Sequence, residues 1–163
     1  MLRVSANRRR GQRGMTLVEL IVAFTILALL ASMAVPLARS RVRREREKEL
    51  RIALREIHTA IDKYKDMADQ GQLGQQNAAK EGYPESLEVL VEGVKVNGQG
   101  TEGEKKVRFL RRIPKDPFTK TTDWGMRSTQ DDPKSTAWGG QNVFAVFSKT
   151  MDKAADGTPY AEW

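Results

Sequence analysis

Apolar residues follow different patterns in successive stretches of this chain. From Met15 to Leu37 they run almost unbroken, with only Thr16, Glu19, Thr25 and Ser32 as polar side chains. As a helix that run would be about 34 Å long, enough to cross a hydrocarbon core of roughly 30 Å. Further on the pattern becomes periodic. Leu50, Leu54, Ile57, Ile61, Tyr64 and Ala68 recur at alternating steps of four and three residues, which is one helical face. Neither glycine nor proline falls between Arg39 and Asp69. The pattern therefore predicts one gently bent helix from Met15 to Asp69, about 80 Å long, ended by Gly71 and Gly74. The oppositely charged pairs Arg41/Glu45, Arg43/Glu47 and Glu47/Arg51 are spaced to support its exposed side.

The remainder reads as short elements between loops. Gln70–Gly82 is polar and glycine-containing, a loop. Tyr83–Leu90 predicts a short helix with Pro84 near its first turn. Gly93–Glu104 reads as another loop, and Val107–Leu110 leads into a rigid turn set by Pro114 and Pro117. Trp124–Ser128 predicts a strand. Val143–Ser148, rich in β-branched and aromatic residues, predicts the clearest one. The expected class is α+β: a long N-terminal spine helix, its first half transmembrane, packed on a small antiparallel sheet. No internal repeat occurs.

The junction before the apolar run carries most of the functional information. Arg8-Arg9-Arg10-Gly11-Gln12-Arg13-Gly14 is basic and acid-free, and Met15-Thr16-Leu17-Val18-Glu19-Leu20 follows at once. Secretory signals place a small-residue cleavage site after the apolar region. Here Ala34-Val35-Pro36-Leu37 leads straight into Arg39, Arg41, Arg43 and Arg44. A carboxylate inside an apolar span costs at least a few kcal/mol unless paired, so Glu19 is a functional candidate, with a position near the membrane surface as the plain alternative.

This junction resembles the prepilin signal of type IV pilins and type II secretion pseudopilins. The likeness rests on Gly14, the Thr16–Leu20 run and Pro36, the twenty-second residue counted from Met15. The resemblance implies cleavage between Gly14 and Met15 by a prepilin peptidase, with methylation of the new amine. It gives Glu19 and Pro36 assembly roles, Glu19 pairing with the Met15 amine of its own chain or a neighbour. The blocks Tyr83–Leu87, Ile113–Phe118 and Val143–Lys149, with Asp156–Trp163, resemble the head of major pseudopilins. The implied organisation is a leader over 1–14, a transmembrane and fibre-core segment over 15–37, and a periplasmic head over 38–163.

Composition narrows the alternatives. The formal charge of +7 comes from 28 basic and 21 acidic residues. The leader holds Arg3, Arg8, Arg9, Arg10 and Arg13 and no acid, so its removal leaves 28 − 5 = 23 basic residues, or +2. Leader charge keeps the N-terminus cytoplasmic and the head outside. The Arg39–Arg44 run reads as a solvated flank of the span rather than a nucleic-acid site, since no aromatic residues interleave it. With no cysteine, an exported head must hold together by burial or by a metal.

No nucleophile-and-base constellation points to an enzyme. His58 and Asp62 lie four apart, but two ligands do not make a metal site. Family resemblance suggests calcium in the loop after the last strand, where Asp152 and Asp156 are the acids within Ser148–Gly157. A turn with solvated aspartates is the alternative. The expected function is a non-enzymatic pseudopilin subunit, forming a homo-oligomeric helical fibre with minor pseudopilins and an inner-membrane assembly platform. A type IV pilin, or a signal-anchored periplasmic binding or enzyme domain, are the alternatives.

Overall fold

The computed structural model describes residues 15–73, 80–96 and 106–163, apart from the side chains of Met33, Val35, Pro36 and Leu37. Gly14 and Gly74 lie outside the described residues. The chain divides into two compact units, Met1–Val42 and Arg43–Trp163. Helix α1, Leu17–Asp69, contributes to both.

In the first unit the described residues are the start of α1, which begins two residues later than expected because Thr16 caps it. The Thr16 carbonyl accepts the Leu20 N–H at 3.2 Å, and its hydroxyl accepts the Glu19 N–H at 3.3 Å. An N-cap threonine with glutamate three residues on is the sequence pattern of a capping box, and the threonine arm of it forms here. Backbone helix continues through Pro36. Side chains from Leu17 to Leu30 are exposed on every side: Leu17 at 75 % and Phe24 at 69 %. Among the described residues no helix is long and apolar enough to cross a membrane. Met33, Val35, Pro36 and Leu37, whose side chains are undescribed, belong to the expected span.

In the second unit the periodic face is the core. Leu50, Leu54, Ile57, Ile61 and Tyr64 are all buried, with Ala53 and Ala60 filling the shallower positions between them. They cluster with Leu73, Leu87, Leu90, Leu110, Trp124, Val143 and Val146. The helix ends at Gly71. Its N–H bonds the Ala68 carbonyl at 2.9 Å while the Gln72 N–H reaches the Met67 carbonyl at 3.0 Å. That double closure needs a left-handed residue between them, and Gly71 supplies it at φ +66.

The rest is short. Helix α2 spans Leu87–Glu92, starting after Ser86 rather than at Tyr83. Strands β1 (Val94–Lys95) and β2 (Lys106–Val107) pair antiparallel, as do β3 (Gly125–Arg127) and β4 (Ala145–Phe147). A 3-10 turn, Tyr160–Glu162, closes the chain. Instead of one small sheet, the described residues form two separate two-stranded ladders. β1 falls in a stretch expected to be loop. β2 also lies where no strand was expected, whereas β3 and β4 are shorter than their patterns suggest; backbone donors are diverted at the strand ends. Phe109 and Leu110 both give their N–H to the Leu90 carbonyl, which stops β2. Ser128 gives its N–H to Asp131 Oδ2 at 2.8 Å, which stops β3, and Val143 gives its N–H to Pro84.

Candidate assembly site

Glu19 sits in the first turn of α1, three residues after the cap. A first-turn position places a residue near the unsatisfied N–H groups and the positive end of a helix dipole. Met15, 65 % exposed, precedes the cap by one residue. Thr16 thus sets where the helix starts relative to both. Its Thr-x-x-Glu spacing was the available sequence signal, although the chemistry of Glu19 draws attention away from it. Pro36 lies on the helical backbone with its side chain undescribed, and Gly14 is outside the described residues. Around Glu19 the helix offers apolar side chains in all directions, including Leu20, Ile21, Val22, Ile26 and Leu27. Such a surface requires lipid or packed neighbours to cover it.

At the start of the head unit, the C-terminal turn is tied back onto α1. The Tyr160 ring is fully buried, stacked on Phe118 at 4.4 Å and edge-on to Trp163 at 4.9 Å. Its hydroxyl donates to Glu47 Oε1 at 2.8 Å and accepts from Arg43 Nε at 3.2 Å. Arg43 and Glu47 also pair directly at 3.4 Å, as their spacing suggested. Burial raises the Tyr160 pKa, which keeps the hydroxyl protonated and able to donate. The Arg51 guanidinium lies 4.2 Å from the Trp163 ring centre. These residues pin the last four positions of the chain to the helix.

His58 is an edge-of-core residue, and it has a backbone partner that spacing alone does not reveal. Its Nε2 accepts the Val146 N–H at 3.3 Å, joining α1 to β4. Acceptance requires neutral imidazole. Burial lowers the His58 pKa, with Asp62 partly opposing the shift. Two buried polar residues hold the loops. Asp116 accepts the Phe118 N–H at 2.7 Å on one oxygen and the Ser148 hydroxyl at 2.5 Å on the other. Asn142 accepts the Thr129 N–H and donates to the Lys80 carbonyl and the Thr129 hydroxyl.

The two calcium candidates are both exposed. Asp156 accepts the Thr158 N–H at 2.9 Å, which lowers its pKa, within a turn closed by the Lys153–Pro159 bridge and Gly157. Among the described residues no group of three or more His, Cys, Asp or Glu is placed to hold a metal ion. Calcium takes six to eight oxygens. The side chains here meet a small part of that demand, and carbonyls or hydroxyls would have to supply the rest.

A capped, exposed apolar helix start in the first unit, and in the second a small α+β core built on the amphipathic part of α1, are consistent with a pilin-like fold. Residues 9–35 match the family described as the prokaryotic N-terminal methylation motif. The chain is 31 % identical over 111 residues to the type II secretion system core protein G of Pseudomonas aeruginosa, covering 68 % of this chain and 71 % of that one. No solved structure matches the chain. The chain belongs to the family of type II secretion core protein G, the major pseudopilins, and is a pseudopilin subunit. That membership points to a structural, non-enzymatic role.

Proposed function

We propose that the mature chain begins at Met15, rests in the inner membrane through residues 15–37 with its head in the periplasm, and is drawn into a helical fibre that drives protein export. The observation that carries this is the all-round apolar, exposed surface of α1 from Leu17 to Leu30, interrupted by Glu19. An apolar surface of that kind is stable in lipid or among like helices, and the carboxylate distinguishes the two. In lipid it is a cost; beside a neighbour's Met15 amine it is one half of an ion pair. Prepilin peptidase, minor pseudopilins and an inner-membrane assembly platform are the partners this reading requires. Calcium at Asp152 and Asp156 belongs to the proposal through family resemblance alone, and a head melting temperature unmoved by EDTA would remove it.

Glu19→Gln tests the reading. It keeps size and polarity and removes the charge, so insertion and maturation should proceed while fibre entry fails. Sheared fibre is compared with mature protein left in the membrane. Normal fibre yield from Glu19→Gln would leave Glu19 as a helix-start residue near the membrane surface, with no assembly role.

A further inference from the structure

Where α1 enters the head, its exposed side carries a basic stripe. Arg44, Lys48, Arg51 and Arg55 recur at steps of four, three and four residues, the spacing that also builds the core face, and all four are exposed. At about 100° per residue they fall within an arc of about 60°, roughly 120° around the helix from Leu50, Leu54, Ile57 and Ile61. Glu45, Glu49 and Glu56 fall to one side of that arc, and Glu47 on the other side is held by the Tyr160 hydroxyl and Arg43. Among the described residues none of the four cations is within ion-pair distance of a carboxylate, although the Arg51 charge reaches Asp156. Like charges at this spacing repel, so the bare stripe is destabilising and an anion from outside the molecule relieves it.

Part of the stripe is shaped as well as charged. A hollow of about 600 Å³ is lined by Arg51, Arg55, Thr59 and Trp163, with Asp62 also in its wall. The Arg51 guanidinium lies over the Trp163 ring, 4.2 Å from its centre. A guanidinium held over a ring keeps N–H donors at its edge, and those donors match the oxygens of a phosphate. Trp163 is half-buried, with its ring against Tyr160. An indole with part of its body fixed and part exposed suits a membrane–water boundary. The sequence also keeps the stripe close to such a boundary: Arg44 follows Leu37, the end of the proposed span, by 44 − 37 = 7 residues, about two helical turns.

We propose that Arg44, Lys48, Arg51 and Arg55 bind anionic phospholipid headgroups of the bilayer that holds the span, with one headgroup phosphate seated between Arg51 and Arg55 beside Trp163. Basic clusters next to a membrane span are drawn to anionic lipid surfaces, and the attraction fades beyond a Debye length. Four cations on one ridge engage several headgroups together, their charged ends reaching the phosphates on flexible apolar stems. The contact belongs to the subunit still in the membrane, and entry into a fibre exchanges it for protein neighbours. This inference rests on the membrane anchoring of residues 15–37 proposed above, and it gives the exposed face of the helix beyond that span a lipid partner.

The test uses the full chain reconstituted at one copy per nanodisc, so that no second copy can cover the stripe. Discs of phosphatidylcholine alone are compared with discs containing about one third phosphatidylglycerol. Acylation of Lys48 by a neutral, water-soluble reagent is followed by peptide mass spectrometry, with exposed Lys120 as the internal reference. Relative to Lys120, Lys48 should react at least about threefold more slowly in the phosphatidylglycerol discs, and high salt should remove the difference. Arg51→Gln with Arg55→Gln should return Lys48 to within about 1.5-fold of its neutral-disc rate, whereas Arg51→Lys with Arg55→Lys should keep most of the protection. Tryptophan fluorescence melting checks folding, and where the glutamine pair lowers the melt, Arg44→Gln with Arg55→Gln replaces it with the same expected loss of protection. Equal Lys48 rates in the two kinds of disc overturn the inference, as does protection that survives in the folded glutamine variant. Protection seen only in discs loaded with several copies would assign the stripe to a neighbouring subunit, which also overturns it. A chain that resists alkaline carbonate extraction yet shows equal Lys48 rates fails this inference alone, whereas a chain that carbonate strips from liposomes lacks the anchor and removes both readings.

Discussion

Ile61 offers the most direct test of how the head is built. It is 1 % exposed and clusters with Tyr64, Leu110, Val143 and Val146, between the rigid α1 and the strands packed on it. Truncating a buried isoleucine to alanine costs about 2–5 kcal/mol, the larger values arising where surroundings cannot collapse into the cavity. Here one wall is a continuous helix and another is tied by the His58–Val146 hydrogen bond, so about 3 kcal/mol is expected for Ile61→Ala. The unit Arg43–Trp163 unfolds with an entropy near 2.1 cal/mol/K per residue, or about 0.25 kcal/mol/K in all. Each kcal/mol then moves Tm by about 4 °C, and the variant should melt about 12 °C lower. All three tryptophans, Trp124, Trp138 and Trp163, lie in this unit, so fluorescence of the full chain in detergent reports its melting. Ile52→Ala, at a position 57 % exposed, is the control and should shift Tm by no more than about 2 °C. An Ile61→Ala melt within about 3 °C of wild type would refute the assignment of this face as core.

Other predictions address processing, polar ties and backbone fit. Gly14→Val should accumulate uncleaved precursor, visible as an intact mass that still includes Met1–Gly14; maturation at the normal rate would reject the leader assignment. Tyr160→Phe removes the hydroxyl between Glu47 and Arg43 and should cost about 0.5–1.5 kcal/mol, lowering Tm by about 2–6 °C in the same fluorescence melt. His58 is held below its ordinary pKa, so the unfolded chain binds the proton more readily. Its contribution to stability is present above about pH 6.5 and is lost as pH falls below that value. Urea midpoints measured from pH 8 to 5 should therefore fall more steeply in wild type than in His58→Gln, and equal slopes would exclude this linkage. At Gly125 an added Cβ would lie 2.3 Å from the Phe147 ring, so Gly125→Ala should destabilise the β3–β4 ladder by about 1–3 kcal/mol, read as a lower urea midpoint.

Regularity along the chain, by itself, determined the long helix, its core face and its end. The four-and-three spacing from Leu50 to Tyr64 needs no partner to be legible, because helical geometry alone puts those side chains on one side. Gly71 was readable for the same reason, since a left-handed helix end favours glycine whatever surrounds it. At the Gly14–Met15 junction the sequence shows a basic, acid-free stretch, an apolar run and a single carboxylate, Glu19, within its first turn. Tertiary structure decided what depends on distant donors and acceptors. The strands around Val107, Arg127 and Val143 end where N–H groups turn to Leu90, Asp131 and Pro84, and no local pattern encodes those partners. His58 became a backbone acceptor only because β4 lies across α1, and Tyr160 became a clasp because the chain end returns to Arg43 and Glu47. A hydrogen bond between residues more than eighty positions apart depends on the whole packing arrangement, so it becomes visible only once the core has folded.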